Sequence, residues 1–134
     1  MAVQGFPYGL RKSVSLSPPE AEIRLRELLQ DEGFGILTEI DVQATFKKKL
    51  DVDFRPYRIL GACNPALAHQ ALSADENIGL LLPCNVVVFQ GDEVGTSVVG
   101  VIDPEVQLSV TGRDDIAPIA GEVRERMERV IEKL

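Results

Sequence analysis

The feature that most constrains the fold is an uncharged run followed by a tight turn and a second apolar run. Residues 79–89 carry no charged side chain, Gly91, Asp92 and Glu93 follow, and residues 94–102 are again largely apolar. Two β-prone runs separated by a short turn with glycine predict a hairpin, whose strands run antiparallel. A purely parallel sheet is therefore excluded. Because the first run is uncharged, we expect that strand to be buried on both faces.

Helix-start signals organise the rest of the chain. Residues 17–20 (Ser-Pro-Pro-Glu) have the form of a capping box with proline in the first turn, which predicts a helix that ends near Gln30. Asn64 before Pro65 predicts a second capped helix over 66–74. The remaining predicted elements are strands at 8–16, 35–40 and 57–62, a short helix at 42–50, and a last amphipathic helix at 115–134.

The resulting element order, βαβαβαββα, predicts an α+β fold. We expect a single mixed, largely antiparallel sheet of about five strands that is covered by helices. No repeat or linker interrupts the chain, so residues 1–134 are expected to form a single domain.

The composition limits the partners of the protein. The net charge is −7, from 14 basic and 21 acidic side chains, and such a surface disfavours nucleic acid as a partner. No stretch approaches the roughly 20 apolar residues of a membrane helix, and the amino terminus lacks the apolar core of a signal peptide. We therefore expect a soluble, cytoplasmic protein with no nucleic-acid or membrane partner.

Residues 42–58 differ from the rest of the chain in charge. This segment has a net charge of +3, while the remaining residues sum to −10. A charge run is usually a solvated face, and the alternative is a docking surface for an anion or an acidic partner. Its charged residues are Lys47, Lys48, Lys49, Asp51, Asp53, Arg55 and Arg58.

The common catalytic and cofactor motifs are absent from the sequence. There is no phosphate-binding loop, no dinucleotide glycine fingerprint, no Gly-x-Ser-x-Gly elbow and no Cys-x-x-Cys. The sequence therefore leaves open whether the protein is an enzyme.

Two Cys-Asn pairs, each beside a proline, are the candidate chemical groups. Cys63 is expected at a strand end just before the helix that Asn64 caps, where the helix dipole favours a thiolate. His69 lies six residues further on. Cys84 falls within the apolar run, and burying Asn85 there without partners would cost about 1–3 kcal/mol. We therefore expect Asn85 to be a buried amide with a specific hydrogen-bonding role, either structural or at a site.

The segments that carry these pairs, residues 57–65 and 78–86, resemble domain-of-unknown-function family 302 of bacteria and archaea. The resemblance extends over nearly the whole chain. It implies a small α+β domain with no settled biochemical activity, and it supplies no catalytic residues. The positions that match the family pattern are Cys63, Asn64, Pro65, Pro83, Cys84 and Asn85.

Three functions are compatible with this pattern. The first is binding of a small ligand or of a soft metal such as zinc or copper, with Cys63, Asn64, Cys84 and Asn85 as binding residues and Cys63, Cys84 and His69 as metal ligands. The second is a thiol redox protein in which Cys63 attacks and Cys84 resolves. The third is a structural or interaction module that forms a homodimer. Against the first two stands the simpler interpretation of two buried structural cysteines, and a disulfide between them is a further alternative.

Overall fold

The computed structural model of the protein describes residues 2–134. The strands are β1 (Gln4–Phe6), β2 (Gly9–Val14), β3 (Gly35–Asp41), β4 (Tyr57–Cys63), β5 (Cys84–Gln90) and β6 (Ser97–Ile102). The helices are α1 (Pro18–Asp31), α2 (Val42–Leu50), α3 (Pro65–Ala74), α4 (Pro104–Ser109) and α5 (Ala117–Glu132), and a 3₁₀ helix spans Glu76–Leu81. No helix within the described residues is long and apolar enough to cross a membrane.

The strands form one open sheet in the order β1-β2-β6-β5-β4-β3. Every pair of neighbouring strands is antiparallel, which confirms the predicted α+β fold and the β5–β6 hairpin. The sheet has six strands rather than about five because the short strand β1 adds to β2, with Gln4 opposite Arg11.

Side-chain caps determine where several helices begin. The Ser17 hydroxyl accepts a hydrogen bond from the Glu20 backbone N–H at 3.4 Å, which is the N-cap half of a capping box. The Glu20 carboxylate accepts from the Ser17 hydroxyl at 2.7 Å instead of from the Ser17 backbone N–H. The Asn64 side chain accepts from the Leu67 N–H at 3.2 Å. A signal of the same type, Asp103 followed by proline, begins α4, a helix that is absent from the predicted order.

The uncharged run predicted as a strand over 79–89 is divided between two elements. The Asp75 carboxylate accepts from the Asn77 N–H at 3.0 Å and caps the 3₁₀ helix, so the chain stays helical as far as Leu81. Proline cannot donate to a strand ladder, and β5 begins only after Pro83.

One face of the sheet carries the main hydrophobic core. Helices α1 and α5 pack over this face, and a smaller apolar cluster involves α3, the 3₁₀ helix and α4. The core is closed by fully buried side chains from both helices and from the central strands: Leu25, Leu29, Leu60, Val86, Val99, Met127 and Ile131.

A buried lysine connects the first part of the chain to the last helix. Lys12 on β2 is only 8% exposed, and its ammonium donates to the carbonyl oxygens of Glu132 at 3.0 Å and Leu134 at 2.5 Å. Carbonyls in the last turn of a helix have no intrahelical donor, so Lys12 supplies one at the end of α5.

The opposite face of the sheet is not packed under α1 and α5. Along β5, Cys84, Val86 and Val88 are buried toward these helices, while Asn85 is exposed and Phe89 is partly exposed on the other face. The expectation that this strand is buried on both faces is therefore wrong. An uncharged strand that lines an apolar groove has the same sequence pattern as one that is fully buried.

Candidate functional site

The pairing of β4 with β5 brings the two Cys-Asn segments to one end of the sheet. Ala62 lies opposite Cys84, and Cys63 is the last residue of β4. Both cysteines line a recess of about 30 Å³ that is almost entirely apolar. This volume is far below the roughly 300–1,000 Å³ of pockets that hold small organic molecules. Its other lining residues are Phe34, Ala62, Asn64, Leu67, Ala68, Ala71, Leu82, Pro83, Leu108, Ile119 and Val123.

Both cysteines are free thiols whose surroundings favour the protonated form. Burial raises the pKa of the Cys84 thiol to about 11, with a smaller contribution from nearby Cys63. Burial also raises the pKa of the Cys63 thiol. The Cys84 sulfur donates a hydrogen bond to the Gln107 side-chain oxygen at 3.4 Å. Because the thiolate is the nucleophile and the metal ligand, this environment suits a structural role better than a redox one.

The predicted metal ligands do not form a coordinating group. His69 is exposed on α3, whose buried positions are Leu67 and Ala71. Within residues 2–134 there is no group of three or more His, Cys, Asp or Glu side chains arranged to hold a metal ion. Asn64 is occupied as the cap of α3.

Asn85 lies apart from the thiols, on the open face of the sheet. It is exposed, so the expectation of a buried amide is wrong. Neighbouring residues in a strand point to opposite faces of the sheet. The Cys84 side chain is on the face under the helices, so the Asn85 side chain is on the open face. The structure thus separates the four predicted binding residues between the thiol recess and the open face.

The open face contains a groove of about 640 Å³, to which Asn85 contributes. We call it the sheet groove. The residues that line it come from strands or from the β1–β2 turn: Gln4, Gly5, Phe6, Pro7, Tyr8, Arg11, Tyr57, Asn85, Val87, Phe89, Val98, Gly100, Val101 and Ile102. Its walls therefore combine elements from the beginning, the middle and the last third of the chain.

Two aromatic pairs stand on opposite sides of the sheet groove. Tyr57 and Phe89 are stacked, with ring centroids 5.1 Å apart and an interplanar angle of 4°. Phe6 and Tyr8 meet edge to face at 4.8 Å. Strands β2 and β6 separate the two pairs in the sheet order. Partial burial raises the pKa of Tyr57, with a smaller contribution from Tyr8, so the Tyr57 phenol is a neutral hydrogen-bonding group at pH 7.

Glycine shapes the floor and one wall of the sheet groove. A Cβ atom on Gly9 would lie 2.6 Å from the Phe6 ring and 2.6 Å from the Val101 carbonyl oxygen, so only glycine lets this ring fold across β2. Gly100, in the middle of β6, pairs with Arg11 on one side and Val87 on the other, and it is buried. A Cβ atom on Gly100 would lie 3.0 Å from a Val87 methyl group, so the missing side chain lets Val87 pack close to β6. These residues give the face a concave shape.

Most groove residues are absent from the predicted site because the sequence does not reveal which strands are neighbours. The alternation of β2 offers one signal, since Leu10, Lys12 and Val14 share the buried face and leave Arg11 on the other. A charged residue between inward-facing positions of a strand is common, however, and does not by itself indicate a groove.

A family model and a solved structure both relate the chain to the same protein family. The family model of the domain of unknown function DUF302 matches residues 10–134. The chain is similar to the crystal structure of an uncharacterized conserved DUF302 protein from Bacillus stearothermophilus, with 30% sequence identity, a TM-score of 0.86, and coverage of 96% of this chain and 98% of that one. None of the curated proteins matches the chain. Because the family model spans nearly the whole chain, the protein belongs to the DUF302 family.

Proposed function

We propose that this domain binds a small, flat, largely apolar ligand in the sheet groove. The observation that carries the proposal is the concave face with the stacked Tyr57–Phe89 pair on one side and the Phe6–Tyr8 pair on the other. Pockets for small molecules in proteins commonly measure about 300–1,000 Å³ and are lined mainly by apolar and aromatic groups. The sheet groove lies within this range.

The polar groups of the groove are suited to orient such a ligand. The Asn85 amide supplies both a donor and an acceptor, and the two tyrosine hydroxyls supply more. Tyr8 is exposed, and the rings of Phe6, Tyr57 and Phe89 are partly exposed, so they offer stacking surfaces to a ligand. Of the four binding residues predicted from the sequence, Asn85 is the one that supports binding at this place.

The thiol recess offers less support for ligand, metal or redox chemistry. Its volume of about 30 Å³ leaves no room for an organic ligand. Both thiol pKa values are raised, and a redox role for Cys63 requires a lowered one. The two cysteines are better suited to a structural role, in which they pack the end of β4 and the start of β5 against α3.

A fluorescence titration with the neutral dye N-phenylnaphthylamine tests the proposal. We expect saturable binding to the folded protein, weakened about tenfold by Phe89→Ala or by Tyr57→Ala, since stacking on an aromatic side chain contributes about 1 kcal/mol or more. The matched control is Leu80→Ala, which removes a side chain that is 88% exposed outside the groove. Circular dichroism checks that each variant is folded.

Three results would contradict this function. The first is a lack of saturable dye binding. The second is unchanged binding in both groove variants. The third is an equal loss in Leu80→Ala, because the dye would then be reporting exposed apolar surface in general.

Formation of a homodimer through β3 is a second candidate. β3 lies at the edge of the sheet and pairs only with β4 among the described strands. An exposed edge strand is a template for pairing with a second copy of the chain. Large apolar side chains are exposed on β3 and on the segment that follows it: Leu37, Ile40, Leu50, Val52 and Phe54.

Sedimentation velocity tests the dimer. We expect a dimer for the unmodified protein and a monomer for Leu37→Lys, because the new charge would lie in the interface. Leu80→Lys is the control, since it adds the same charge at an exposed leucine elsewhere. A monomeric unmodified protein would rule out this candidate.

A further inference from the structure

Arg11 occupies a central position in the sheet groove. It lies on β2 between Gln4 of β1 and Gly100 of β6, and its neighbours in this row carry no charge. Gly100 gives Arg11 no side-chain neighbour on β6, and Val87 and Phe89 line the same groove beyond it. Arg11 is exposed and is the charged residue among those that line the groove.

Arg11 differs from the other arginines of the described chain in lacking a carboxylate partner. Each of the eight others has an Asp or Glu oxygen within 3.7 Å, whereas no ion pair or side-chain hydrogen bond of Arg11 is found within residues 2–134. The paired arginines are Arg24, Arg26, Arg55, Arg58, Arg113, Arg124, Arg126 and Arg129. In a chain with net charge −7, an arginine without a partner in an apolar groove is conspicuous.

A second recess of about 460 Å³ adjoins the sheet groove and shares Arg11, Phe89 and Val98 with it. Ser13 and Arg55 also line this recess. The Arg55 guanidinium donates to the Gln90 carbonyl at 3.2 Å and lies 3.7 Å from the Asp92 carboxylate. Asp92 and Glu93 also line this recess, and both are exposed, Asp92 to 96%. Arg11 therefore lies between the sheet groove and this second recess.

We infer that the ligand of the sheet groove is an organic acid, with Arg11 binding its anionic group. The inference rests on the proposed function, and it adds the charge of the ligand. The flat body would lie against the aromatic pairs, and a carboxylate, sulfonate or phosphate would accept two parallel hydrogen bonds from the guanidinium. An acidic protein repels anions at long range, so a local cation without a competing carboxylate is what such a ligand requires.

Two dyes with the same aromatic body separate charge recognition from apolar binding. N-phenylnaphthylamine is neutral, and anilinonaphthalenesulfonate adds one sulfonate. We expect Arg11→Gln to weaken binding of the sulfonate about tenfold, which is the loss of one charge-assisted hydrogen-bonded contact, and to change binding of the neutral dye less than about twofold. Arg11→Lys should restore part of the sulfonate affinity because it keeps the charge without the planar fork.

The matched control is Arg24→Gln, which changes the net charge by the same amount on α1, away from the groove. We expect it to leave binding of both dyes unchanged. Equal weakening of the sulfonate by Arg11→Gln and Arg24→Gln would overturn the inference, because a general charge effect would then explain the loss. Equal weakening of both dyes by Arg11→Gln would overturn it as well, since Arg11 would then only shape the groove.

The two proposals fail in different ways. If the neutral dye binds as expected and Arg11→Gln has no selective effect, the anion inference is wrong and the proposed function stands. If only the sulfonate binds, and does so through Arg11, the groove is an anion site without the proposed apolar selectivity. If neither dye binds, both proposals are wrong.

Discussion

Replacing Val86 and Val87 separately with alanine measures how differently the two faces of β5 are buried. Val86 is 0% exposed and belongs to the core under the helices, whereas Val87 is partly exposed and lines the sheet groove. At about 0.8 kcal/mol per buried methylene, Val86→Ala loses roughly 1.6 kcal/mol of transfer free energy. The cavity left in the core raises this to about 2–3 kcal/mol. For Val87→Ala we expect less than about 1 kcal/mol, because water already reaches the side chain.

Equilibrium unfolding in urea, followed by far-ultraviolet circular dichroism, gives the two free-energy differences. We expect the loss at Val86 to exceed the loss at Val87 by more than about 1 kcal/mol, with similar urea dependence for both variants. Similar losses at both positions would refute burial on one face only. If the Val87 loss also grew with protein concentration, a second copy of the chain would be covering the open face in solution.

Three further predictions concern the packing of the chain. Lys12→Met removes a charged donor from the carbonyls of Glu132 and Leu134, so it should lower the free energy of unfolding by about 1.5–3 kcal/mol in urea titrations. An unchanged free energy of unfolding would show that water replaces the ammonium at no cost. Both thiol pKa values are raised, so in the folded protein at pH 7 iodoacetamide should modify Cys63 more slowly than a free cysteine, and Cys84 more slowly still. Peptide mass spectrometry follows the modification, and rapid alkylation of either residue would reveal a thiolate. The hydrogen-bonded Arg129 guanidinium lowers the pKa of Glu32, so the stabilisation from this carboxylate is present above its usual pKa of 4.5 and is lost as the pH falls through the lowered value. Glu32→Gln should therefore flatten the acid side of the melting-temperature profile, and an unaltered profile would show that other carboxylates dominate it.

Most of the element order could be predicted because its signals are local, although β1, the 3₁₀ helix and α4 are absent from the predicted order. Ser17 with Glu20, and Asn64 before Pro65, make contacts within a few residues, and the structure shows the caps that these residue types predict. The turn after β5 likewise fixes the antiparallel pairing of its two strands. Asp103 before Pro104 is a local signal of the same kind, so α4 was within reach of the same reasoning.

The candidate site could not be predicted in the same way because it depends on pairing between distant segments. Arg11, Tyr57 and Phe89 come together only through the strand order. The sequence predicts Cys63 at a strand end and Cys84 within a longer strand, but the pKa values of the two thiols depend on how completely the surrounding elements exclude water. Spacing along the chain carries no information on that exclusion.

The central place of β6 has a consequence for the order in which the protein folds. Gly9 pairs with Ile102 and Val14 with Ser97, so the second partner of β2, after β1, comes from the last third of the chain. During synthesis, β1 and β2 leave the ribosome before the other strands and can pair with each other, but the other edge of β2 has no partner until β6 has emerged. Strands β3 to β6, by contrast, pair with neighbours in sequence and face smaller loop-closure costs. We expect hydrogen-exchange labelling during refolding to protect β4 and β5 before β2, with the sheet groove among the last features to form.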